Sequence, residues 1–114
     1  MRRWSVVLGT LAVGACVSTA TEPGGERFEG HYSQGFEVDS FRPCGSAESW
    51  WVTDGDELRG RYLALATRPY EEVYVEIRGH VGSPGEYGHL GAYDRELSAG
   101  EVISIRPAAD RDCD

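Results

Sequence analysis

The chain has no lysine: all 11 basic residues are arginine, against 19 acidic residues, and the formal charge is -8 over 114 positions. A chain this acidic, without a basic stripe, is a poor ligand for a nucleic-acid backbone, whose binding rests on clustered cations. It is equally unsuited to docking on anionic lipid headgroups. No apolar run is long enough for a membrane span, since the stretch from Trp4 to Val13 is about half of the roughly 20 residues required. Internal repeats, a Cys-x-x-Cys pair and a recognisable catalytic motif are also missing. Cysteine itself is scarce, at Cys16, Cys44 and Cys113 alone.

What is present begins at the N-terminus. Arg2 and Arg3 precede the short apolar run, and Val13-Gly14-Ala15-Cys16 closes it with small residues before a cysteine. This is the layout of a secretory signal, with cysteine where bacterial lipoproteins receive their lipid. The competing reading is a short hydrophobic N-terminus with a chance cysteine. The expectation is a lipoprotein signal peptide over residues 1–15 and a lipidated flexible tether over 16–27, rich in Ser, Thr, Gly, Glu and Pro. One domain over 28–114 follows. Removing Arg2 and Arg3 makes the mature chain more acidic by two charges. Val17, rather than an aspartate, after Cys16 points to the outer membrane and its periplasmic face.

A domain of this size folds alone but with a small core, so a staple is useful. With Cys16 given to lipid, Cys44 and Cys113 form an even pair in an exported chain, the usual sign of a disulfide. Closing so long a loop stabilises by roughly 4 kcal/mol in the chain-entropy model. Two free thiols or a metal pair are the alternatives, although the two residues have no local metal-ligand spacing.

Strand signals dominate the domain. Residues 28–42 alternate in part, with Phe36 and Val38 on one face, and Gly30 and Gly35 predict a kink or bulge there. Pro43-Cys44-Gly45-Ser46 reads as a turn and Ser49–Thr53 as a strand. Asp54 with Glu57 resembles a helix-capping pair, and Leu58, Tyr62 and Leu65 follow at helical spacing, so one short helix is predicted over 54–67, with a strand through Tyr62 to Leu65 as the alternative because Gly60 weakens the helix. Glu71–Val81 is the clearest strand, with Val73, Val75 and Ile77 facing one way. Tyr87–Leu97 and Val102–Arg106 read as a hairpin around Ser98-Ala99-Gly100, with Ile103 and Ile105 buried. The tail over 108–114 would fray unless Cys113 ties it down. The fold class predicted is mainly β: a small OB-like closed barrel of five to six strands with one short helix.

Three segments carry a family resemblance: Phe41-Arg42-Pro43-Cys44-Gly45, Gly60-Arg61-Tyr62-Leu63-Ala64, and the alternating strand ending Arg78-Gly79-His80. Together with a cysteine near the C-terminus, Cys113, they resemble the C-terminal OB-like domain of NlpE-type outer-membrane lipoproteins. The resemblance implies an envelope lipoprotein connected with surface or copper stress, in which a C-terminal disulfide reports on periplasmic oxidation. The N-terminal barrel of that family and its Cys-x-x-Cys motif have no counterpart in this sequence, so roles belonging to that barrel do not carry over. The membrane anchor and the Cys44–Cys113 pair do.

Other candidates are weaker. His31, His80 and His89 would make a metal site only if the fold gathered them, with His80 and His89 facing across a hairpin. Trp50 and Trp51 must point to opposite faces of a strand. The outward ring, beside Tyr32 or Tyr74, is the candidate binding surface for a peptide, glycan or protein. Glu71 with Glu72, and Asp54, Asp56 and Glu57, read as solvated carboxylates rather than an acid–base pair. Ser46 and Ser49 lack a base, and the glycine-rich run 85–91 lacks the context of a phosphate loop. The function expected is therefore a non-enzymatic, membrane-anchored interaction or stress-sensing module. It needs no cofactor, is held by its lipid and is served by an envelope protein partner. The rivals are a metal-handling lipoprotein and a small enzyme inhibitor using a protruding loop over 82–91. A buried disulfide would be a plain staple, and an exposed one a redox-sensitive latch; the staple is the expectation.

Overall fold

Ten residues of alternating burial, Glu26–Gly35, form the first strand, β1, and a two-residue turn returns the chain as β2, Val38–Pro43. The computed structural model describes residues 24–114 together with Gly9. The signal segment, Cys16 and most of the tether lie outside the described residues. The described fold begins with Glu26 and Arg27, which pair with Gly79 and Arg78. The stretch 28–42 is thus a hairpin. Phe36 sits in its turn, 79 % exposed, instead of sharing an inner face with Val38. Glu37 takes a left-handed φ of 58°, as a tight hairpin turn demands.

After β3, Trp50–Thr53, the helix α1 spans Asp56–Leu65, and β4, Val73–Val81, and β5, Arg95–Pro107, complete the set. The five strands close in the order β1-β2-β3-β5-β4, with β3 and β5 parallel and every other pair antiparallel. The mainly β, OB-like closed barrel with one short helix between its third and fourth strands is what the chain forms.

No hairpin forms around Ser98-Ala99-Gly100. β5 is continuous and pairs on both sides, with β3 through Arg95–Ser98 and with β4 through Leu97–Pro107. The bulges predicted for β1 occur here instead. The register with β4 skips Gly100 and then Ile103, so the inward residues run Leu97, Ala99, Val102. Each skipped residue rotates the strand and increases its twist. Ile103 is consequently turned outward, and Ile105 is only partly buried against the core. In β1 the ladders are uninterrupted. Gly30 is needed there because an added Cβ would collide with the Arg42 carbonyl and Pro43 across the sheet.

The barrel is filled by Tyr32, Phe41, Val52, Val73, Val75, Ile77 and Leu97, and α1 plugs one side with Leu58 and Tyr62. Asp56 and Glu57 lie in its first turn, where the helix dipole favours them. The predicted capping pair does not form. The N-cap is Gly55 without a side-chain cap, and Asp54, at φ 50°, accepts from the Ser98 hydroxyl at 3.3 Å. What fixes the helix is polar and inside. Tyr32 donates to buried Asp39 at 2.6 Å, and the Arg59 guanidinium of α1 bonds the other carboxylate oxygen. Burial, then the Asp39 carboxylate, push the Tyr32 phenol far above its usual range. Asp39→Ala would leave the Tyr32 hydroxyl buried without its partner, and is expected to cost about 2–3 kcal/mol. Urea denaturation of the variant measures it.

Candidate functional site

The chemistry concentrates where the C-terminal tail meets β1 and β2. Cys44 follows directly on β2, and its N–H donates to the Glu29 carbonyl of β1 at 2.8 Å. Its sulfur is bonded to that of Cys113, 69 residues later, with the two Cα atoms 5.2 Å apart. Cys44 is half-buried and Cys113 exposed. A shallow, mainly polar cleft of 310 Å³, lined by Arg27, Phe28, Glu29, Pro43 and Cys44, opens beside the bond.

The residue before Cys113 is the best-held side chain of the tail. Asp112, with its side chain 2 % exposed, accepts from the Arg106 guanidinium at 2.5 Å and from its own turn through the Ala109 N–H at 2.7 Å. His31 of β1 meets the same carboxylate at 3.1 Å. Arg106 lies over the Tyr74 ring at 4.2 Å, the His31 ring packs edge-on to that ring, and Tyr74 donates to the Glu29 carboxylate at 3.0 Å. Burial alone would raise the Asp112 pKa. The hydrogen bonds from Ala109, Arg106 and His31 outweigh it and hold the group down at about 2. Nothing in the sequence marked this cluster, because its members are scattered over three segments and join only through the β1–β4–β5 pairing.

The histidines do not converge. His31 is committed to Asp112, while His89 pairs with Glu37 at 3.0 Å. His80 is exposed on β4, six residues beyond Tyr74, the β4 neighbour of His31, or about 20 Å along the strand. Among the described residues no group of three or more His, Cys, Asp or Glu is arranged to hold a metal. The aromatic set is likewise not a surface. Tyr32 is wholly enclosed, and Trp50 and Tyr74 are both 8 % exposed. Tyr32 points into the barrel because β1 alternates from that side, and Tyr74 is covered by Arg106. Only Trp51 faces outward, and Tyr93 packs against it at 5.0 Å. Of the carboxylates weighed for acid–base work, Glu71 pairs with Arg68 at 3.4 Å, Glu72 with Arg42 at 3.0 Å, Asp56 with Arg59 at 3.2 Å and Glu57 with Arg61 at 3.8 Å, while Asp54 accepts from Ser98.

The exposed apolar residues are elsewhere. Phe36 in the first turn and Leu90, 89 % exposed at the tip of the β4–β5 connection, flank the Glu37–His89 contact. On the other side of Phe36, Tyr70 donates to its carbonyl at 3.3 Å and covers Gly35 so closely that a Cβ there would strike the ring. A cleft of 440 Å³ between this turn and the end of α1 is lined by Phe36, Tyr62, Leu63, Ala66 and Pro69, among others. Recognising Phe36-Glu37 as a two-residue turn would have flagged the first of these.

A family model described as the NlpE C-terminal OB domain matches residues 24–114. No curated protein matches the chain, and neither does any solved structure.

Asp112 carries a pH signature. A carboxyl depressed in the folded state stabilises above its unfolded value, here 3.8, and that contribution is lost as the pH falls toward about 2. The Ala109 amide resonance is expected to titrate near the lower value, and Asp112→Asn to remove the titration, as NMR between pH 5 and pH 1.5 (roughly the span of both states) would record.

Proposed function

The chain belongs to the NlpE C-terminal OB domain family, and from that premise we propose a lipid-anchored envelope module without enzymatic activity. Its surface disulfide gates an interaction. A lipid on Cys16 holds the protein at the periplasmic face of the outer membrane, and the following residues act as tether. The family is one of envelope lipoproteins, which supports the setting; the sequence around Cys16 supports the anchor and Val17 the outer membrane.

One observation carries the gating. The bond from Cys44 to Cys113 is at the surface, with Cys113 exposed, and it joins a tail of seven residues after β5 to the β1–β2 side of the barrel. A core staple would be shielded on both sides; the exposure of Cys113 supports access for thiol–disulfide exchange. The oxidised form has its tail fixed, and the reduced form has a tail held by polar contacts alone. Exposed Phe36 and Leu90 offer the apolar contact area that an interaction module requires.

The test is the full-length chain carrying C44S and C113S together, expressed in place of wild type with an envelope-stress reporter. The reporter output is expected to change while the protein still accumulates in the envelope. Signalling equal to wild type would reduce the bond to a staple. Loss of the cross-link should also lower unfolding stability by about 4 kcal/mol in the chain-entropy model, read by denaturation of both forms.

A further inference from the structure

β1 serves as a common ruler for both halves of the disulfide. Cys44 is fixed to it through its N–H on the Glu29 carbonyl. Cys113 is fixed through its neighbour Asp112, which meets His31. Glu29 and His31 are two residues apart and lie on one face of the strand. Tyr74 braces both positions, donating to the Glu29 carboxylate and packing between His31 and Arg106. The last turn is closed by Asp112 as well: its carboxylate accepts from the Ala109 N–H, and its own N–H donates to the Ala109 carbonyl at 3.1 Å. Cys113 then takes a left-handed φ of 69°, a conformation that a free tail would rarely visit. None of these contacts uses either sulfur.

We propose that Asp112, with His31 and Arg106, is a positioning device that keeps Cys113 apposed to Cys44 in the dithiol form. The pair is thereby a preorganised substrate for oxidation by a disulfide. The inference rests on the gating reading above and says how the gate is set. Oxidation runs in two exchanges. One protein thiolate displaces a thiolate from the oxidant disulfide and forms a mixed disulfide. The second protein thiolate attacks the protein sulfur of that mixed disulfide and expels the other oxidant thiolate. Two electrons pass from the protein to the oxidant, and the two protons released by the protein thiols are taken up by the two oxidant thiolates. The second exchange is intramolecular, so its equilibrium and rate follow the fraction of time the sulfurs are held together. The clasp also sets how often the reduced tail leaves the barrel.

The measurement is the equilibrium of the full chain carrying C16S, so that Cys44 and Cys113 are the only thiols, with reduced and oxidised glutathione. Asp112→Ala and Asp112→Asn are compared with the otherwise identical parent. Both variants are expected to lower the equilibrium constant for forming the protein disulfide at least tenfold. The glutathione mixed disulfide should accumulate. Thermal melting of the reduced barrel should stay within about two degrees of the parent, since the tail lies outside the core. Arg106→Gln removes one of the partners and should give a smaller fall, which keeps the test sound if Asp112→Ala folds poorly. Equilibrium constants within twofold of the parent in all three variants would overturn the proposal. So would a fall matched by an equal loss of barrel stability, the mark of a merely structural residue. Failure of the gating reading would show separately, as an unchanged stress reporter in the C44S/C113S chain.

Discussion

Everything in this domain depends on β5 having partners on both sides. A five-stranded sheet with open edges would expose unpaired backbone and leave half its apolar face wet. β5 removes the problem by pairing with β3 through Arg95–Ser98 and with β4 from Leu97 to Pro107, so that Leu97 and Ser98 are paired on both sides. The two skipped residues, Gly100 and Ile103, let one strand turn the corner that closure requires. That same corner fixes where β5 ends, and so where Arg106 and the tail emerge. The tail therefore arrives beside β1 and Cys44 as a geometric result of closure, before any sulfur chemistry.

The polar groups inside divide the remaining labour. Asp39 joins Tyr32 of β1 to Arg59 of α1, which ties the helix to the barrel in one orientation. Asp112 does the equivalent for the tail with His31 and Arg106. In both cases a carboxylate taken from water is matched by more than one donor, the condition under which a buried charge is tolerated. All the cations used are arginines, whose forked donors suit carboxylates better than an ammonium would. In a chain so acidic, each arginine placed against a carboxylate also relieves repulsion between neighbouring acids.

How much of this was legible before the fold is uneven, for physical reasons. The β4 strand was clear because Val73, Val75 and Ile77 alternate without a break, and the helix because Leu58 and Tyr62 recur one turn apart. The barrel class followed from strands, one helix and more strands in a short domain. Phe36 misled, because a large apolar residue in a two-residue turn keeps the alternation of its flanks. Ile103 misled because bulges change the period of a strand without changing its composition. The candidate aromatic surface failed for a related reason. Alternation says that neighbouring residues face opposite ways, but only closure decides which way is in. The tail cluster was invisible, since the ion-pair partners Asp112, Arg106 and His31 are set by closure and not by spacing.

The direction of β1 has a mechanical consequence. The chain enters at Gly24 and Gly25, against Arg78, Glu101 and Gly79, and β1 then runs to the Phe36 turn about 30 Å away. A load applied at that end in line with β1 acts along the strand. That strand is hydrogen-bonded along both edges, to β2 and to β4, in antiparallel ladders. A pull from that end must shear two ladders together instead of peeling one open bond by bond. The strand that takes the strain is also the one that holds Glu29 and His31, so the alignment of the two sulfurs is carried by a strand paired along both of its edges.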